Sequence, residues 1–87
     1  MNDNPKQVEG LDINECVDGY VIYHSEKDRI HFLNHTAVLV LELCNGERSM
    51  DEIAEVVEKM YGMKKSQKES IVEAIKKLYE EGLLKSI

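Results

Sequence analysis

The side chains equipped for chemistry in this chain are three histidines, His24, His31 and His35, and two thiols, Cys16 and Cys44. Imidazole and thiolate are the usual zinc ligands, so a metal site is the first question. His31 and His35 straddle the end of a strand and a helix cap, their spacing fits neither HExxH nor a zinc finger, and no CxxC pair exists. No metal site is expected. Cys44 falls near a helix C-terminus, where the dipole disfavours a thiolate, and Cys16 borders a turn. Both read as small, partly buried side chains. GxSxG, GxGxxG and the P-loop are all absent, and most carboxylates lie on helix faces that meet solvent. Neither catalysis by this chain nor a cofactor is expected.

The elements that position these side chains are organised around Phe32-Leu33-Asn34-His35-Thr36-Ala37 and the apolar run through Cys44. From Tyr20 to Leu33 the composition is β-branched and aromatic, as in paired strands. Asn34 then stands where an N-cap is needed, and Val38, Leu39, Val40, Leu41 and Leu43 leave almost no polar face. Such a helix, Asn34–Cys44, belongs inside a domain. Asp18-Gly19 between Val17 and Tyr20 predicts a type I′ hairpin, and the loop Ser25–Asp28 leads to a third strand, Arg29–Leu33. In that strand Ile30 and Phe32 share one face, while Arg29, His31 and Leu33 share the other. Phe32→Ala would harm stability if its face were inward.

Beyond the central helix, Asn45-Gly46 is a stop, with Gly46 suited to the left-handed C′ position. Ser49 with Glu52 and Ser66 with Glu69 are capping boxes, each opening an amphipathic helix. The first carries Ile53, Ala54, Val57, Met60 and Tyr61; the second carries Ile71, Val72, Ile75, Leu78 and Tyr79, and stops at Gly82. Leu83–Ile87 is a short apolar tail suited to a stub of strand. Met1 to Glu9 is polar and aperiodic and reads as a flexible arm, which leaves residues 10–87 as one domain. The fold class is α+β: a three-stranded antiparallel sheet on a three-helix bundle, β-β-β-α-α-α, winged-helix-like.

With 17 acidic against 11 basic side chains, the net charge of −6 opposes phosphate backbones. A winged-helix regulator would read DNA with the helix from Gln67 to Glu81, but its lysines are matched by glutamates and it has no arginine. That alternative, with a generic protein-interaction module, ranks second; no nucleic-acid partner is expected. No apolar stretch is long enough to span a bilayer and no signal peptide opens the chain, so a cytoplasmic location without membrane contact is the default.

The ordered set Leu33-Asn34, Thr36-Ala37, Leu41, Leu43, Asn45-Gly46, Ser49, Glu52-Ile53-Ala54, Leu78 and Gly82-Leu83-Leu84 resembles the PqqD-like family, recognition elements for ribosomally made, modified peptides. Asn45 stands where the family commonly has an acidic residue. Val38–Val40 lack the aromatic often found in its central helix. The resemblance implies a non-catalytic peptide chaperone that holds a precursor's leader peptide and presents it to a modifying enzyme, often a radical SAM protein. The leader would add as a strand along Arg29, Ile30, His31, Phe32 and Leu33 and lie against the last helix, with Val72 and Tyr79 as an apolar wall and Lys76 and Arg29 beside acidic leader residues. Pairing of the same edges between copies is compatible with a homodimer.

Overall fold

The computed structural model describes residues 4–62 and 68–86. Its elements are β1 (Pro5–Gln7), β2 (Leu11–Cys16), β3 (Gly19–His24), β4 (Arg29–Leu33), α1 (His35–Leu43), α2 (Met50–Tyr61), α3 (Lys68–Glu80) and β5 (Leu84–Ser86). The expected three-stranded antiparallel sheet forms in the order β2-β3-β4, so β2 and β4 are its edges. Strand alternation sorts the side chains. Ile22 and His24 are buried on the helix-facing side, and their register partners His31 and Arg29 share it. Ile30 and Phe32 lie across from Tyr23 and Val21 on the outer face, and remain 66% and 73% exposed.

The first turn sits one residue earlier than expected. Cys16 pairs with Gly19 and β2 runs without a bulge, so Val17 and Asp18 form the tip. Among the described residues the one non-glycine with positive φ is Asp28, so the turn is not type I′. Gly19 is needed for a different reason. Its φ is +155, and a Cβ there would stand 2.6 Å from the Leu33 carbonyl oxygen.

Asn34 caps α1, its side-chain oxygen accepting the Ala37 N–H at 2.8 Å. Val38, Val40 and Leu41 are buried, and the helix packs against α2, α3, β3 and β4. At its end the Cys44 N–H donates to Leu41 and the thiol to the Val40 carbonyl at 3.0 Å. Cys44 is the C-cap, so Gly46, expected at C′, lies one residue further on with φ +85. The capping box of α2 forms as expected, and Gly62 closes that helix in the left-handed region. Met60 and Tyr61 depart from its buried stripe and are exposed, because the core ends at Val57. Ser66 and Gln67, which begin the expected second box, lie outside the described residues.

At the end of α3 the Leu83 N–H donates to Leu78 and the Gly82 N–H to Tyr79, both at 3.0 Å. That is a Schellman closure, and its apolar contact is supplied by the buried Leu78 and Leu83. It turns the chain into β5, the strand stub anticipated for the tail. Pro5–Gln7, placed by composition in a frayed arm, instead pair antiparallel with β5. The Gln7 N–H also donates to Cys44, the Gly46 N–H to Pro5, and the Gln7 side-chain amide to Leu41. β1 thereby supplies a partner to the Cys44 carbonyl that the end of α1 leaves open, and a second donor to that of Leu41.

Candidate functional site

β4 borders solvent along one side, and its sequence decides what that side offers. In an antiparallel ladder each residue turns both its N–H and C=O to the same neighbour, alternately left and right. The two-residue hairpin closing on Cys16 and Gly19 turns Gly19, Val21 and Tyr23 toward β2, so Tyr20, Ile22 and His24 serve β4. The approach of the Leu33 carbonyl to Gly19 agrees with that assignment. Arg29, His31 and Leu33 are therefore engaged with β3, and the N–H and C=O of Ile30 and Phe32 point to the free edge.

Beside that edge is a cleft of about 270 Å³ lined by Phe32, Leu33, Asn34, Thr36, Ala37, Ala74, Lys77, Leu78 and Glu81. Leu33 and Leu78 are buried at its floor, and Lys77 stands exposed at its rim. A dry cavity of about 150 Å³ accepts benzene, so the cleft has room for a large apolar side chain. Glu81, at the cleft, has its Oε1 4.0 Å from Nδ1 of His31 on β4. Among the described residues, the buried Nε2 of His31 and Nδ1 of His24 have no hydrogen-bond partner. His35 is occupied differently, meeting the Tyr20 ring edge-on at 5.2 Å. On the outer face the Tyr23 hydroxyl donates to Asp28 at 2.8 Å, and that carboxylate raises the phenol's pKa. No three His, Cys, Asp or Glu side chains converge among the described residues.

The eight residues expected at a site thus divide into two groups. Arg29, Ile30, His31, Phe32 and Leu33 are together in β4. Val72, Lys76 and Tyr79 do not line the cleft beside it. Val72 and Lys76 border a shallow depression with Asp51, Lys68, Glu69 and Glu73, and the Tyr79 hydroxyl meets Ser86 of β5 at 3.0 Å. The cause is rotational: at about 100° per residue, 72, 76 and 79 lie on one flank of the buried Ile71–Ile75–Leu78 stripe, and 74, 77 and 81 on the other. Apolar content favoured the first flank. The small side chain of Ala74 was the available signal for the second, since a small residue leaves space beside a strand.

These elements make a small antiparallel sheet with an open edge, backed by three helices and flanked by a cleft. The family model for coenzyme PQQ synthesis protein D, PqqD, matches residues 19–84, and the chain belongs to that family. Among solved structures the fold is similar to a lasso peptide synthetase B1 complexed with the leader peptide. The TM-score is 0.73 at 17% identity, over 93% of this chain and 96% of that one. None of the curated proteins matches the chain.

Proposed function

We propose that this protein is a non-catalytic recognition domain that binds the leader segment of a ribosomally made precursor peptide and presents it to a modifying enzyme, such as a radical SAM protein. The observation that carries this reading is the free edge of β4. Ile30 and Phe32 aim four backbone groups at solvent beside a cleft with an apolar floor. A peptide added there gains main-chain hydrogen bonds with little demand on its sequence, and the cleft selects alternate side chains. Four such bonds at about 0.5–1.5 kcal/mol net each, plus one buried apolar side chain at about 1.5–3 kcal/mol, total about 3.5–9 kcal/mol, a Kd in the range from about millimolar to about micromolar. Membership of the PqqD family supports the reading, and the similar solved structure holds a leader peptide. The wall is assigned to Ala74, Lys77, Leu78 and Glu81, with Val72, Lys76 and Tyr79 on the other flank. The recognition domain takes in β1 as well as residues 10–87.

The test is an amide-shift titration with leader peptides made from short reading frames beside the gene. Shifts should cluster on Arg29–Leu33 and on Ala74–Leu78. Ile30→Pro, once confirmed to fold, should weaken binding at least about tenfold by removing an edge N–H. Shifts centred on Asn45–Met50 or the Ser25–Asp28 loop, with Ile30→Pro binding normally, would refute the groove.

A further inference from the structure

Resting on that peptide-binding reading, we infer that Ile30 and Phe32 also read side chains on the outer face of the sheet, so that the ligand is an extended segment apolar on both of its sides. Ile30 and Phe32, at 66% and 73% exposure, are large apolar side chains on the strand that ends the sheet. Their register neighbours Tyr23 and Val21 are half-buried on the same face. Together they make an apolar strip that stops at the free edge. A scattered exposed apolar residue needs no explanation, but a contiguous strip on an edge is an aggregation hazard unless something covers it.

The geometry of strand addition names the occupant. Side chains of an added strand alternate, and each shares the face of the residue directly opposite. Ligand residues opposite His31 and Leu33 therefore point inward, to the cleft of Ala74 and Leu78. Those opposite Ile30 and Phe32 point outward and lie beside these two side chains. For a strand added antiparallel, the backbone groups of Ile30 and Phe32 facing the edge make these outward positions the hydrogen-bonded pairs as well, held at a Cα separation of about 5.5 Å. Phe32 borders the cleft at the strand edge while its exposed side chain forms the end of the outer strip. The outer strip is thus continuous with the cleft, and one strand covers both. Each apolar cross-strand pair contributes a factor of up to about five in affinity.

The experiment is selection of random peptides displayed on phage against the full chain, repeated against Phe32→Ser and Ile30→Thr variants whose folding is checked by their amide spectra. Wild type should enrich sequences with apolar residues at both alternating sets of positions. Phe32→Ser should relax the requirement at one set only, and should bind the wild-type winners about fivefold more weakly. Enrichment of apolar residues at a single set, or an unchanged profile in both variants, would overturn the inference and leave strand addition standing. Winners that bind Ile30→Pro as well as wild type would remove strand addition itself, and this inference with it. A peptide-free dimer that Phe32→Ser dissociates would overturn it by assigning the strip to a second copy.

Discussion

Leu41 has no exposed surface and sits on α1, the helix that meets both other helices and the sheet. Leu41→Ala should therefore cost about 2–5 kcal/mol, from lost transfer energy and the cavity left behind. For a domain with about 5 kcal/mol of stability that is most of the total, and urea unfolding measures it directly. A loss under about 1 kcal/mol would show that the core lies elsewhere. The thiols give a second residue-level prediction. Burial pushes the Cys44 pKa up to about 12, and its S–H is donated to Val40. The raised value means the folded state holds its proton more tightly, so this thiol weakens stability only as pH climbs above its ordinary value of 9.0. Near pH 8, Cys44 should resist alkylation until urea unfolds the chain, while the half-buried Cys16 reacts in the native state. Two thiols labelled at equal rates in the native protein would contradict this.

Among the elements, β1 departs most from its sequence. Removing residues 1–8 would be nearly neutral for a frayed arm. Here it deletes the pairing with β5 and bonds from Gln7 to Cys44, Val8 to Leu83, Gly46 to Pro5, Gln7 to Leu41 and Asn4 to Gly46. At about 0.5–1.5 kcal/mol each, the five named bonds alone should cost roughly 2.5–7.5 kcal/mol in thermal or urea unfolding. What was legible in the sequence was what local contacts decide. Asn34 and Ser49 cap helices through hydrogen bonds three residues away, and β4 announces itself by alternation within five residues. Pro5-Lys6-Gln7 has no strand propensity to detect, and it becomes a strand only because the distant Leu84–Ser86 offers an edge. The flank of α3 was undecidable for a related reason. Both flanks adjoin the same buried stripe, and only the path of the sheet puts Ala74 rather than Val72 at the cleft beside β4.

For the whole molecule, charge is the strongest constraint. A net charge of −6 and an α3 whose lysines are matched by glutamates, with no arginine among them, oppose binding to a duplex despite the winged-helix outline. Labelled random and genomic duplexes should form no complex at micromolar protein in about 150 mM salt, conditions in which non-specific binders begin to associate. A tight, sequence-dependent mobility shift would reverse that conclusion. The molecule extends 36 × 36 × 17 Å, and on the outer face of the sheet Ile30 and Phe32 stay exposed. Among the described residues no helix is long and apolar enough to cross a membrane.

The pairing of β1 with β5 sets Pro5 opposite Ser86, so the backbone enters and leaves the fold at one point. Cα atoms across such a pair are about 5 Å apart, a gap that a few glycines and serines close. A short linker therefore joins the first strand to the last without disturbing either. A circular permutant opened between Glu26 and Lys27 in an exposed turn should keep the native amide spectrum. By the same geometry, the whole unit can be spliced into a surface turn of another protein without prying that turn apart.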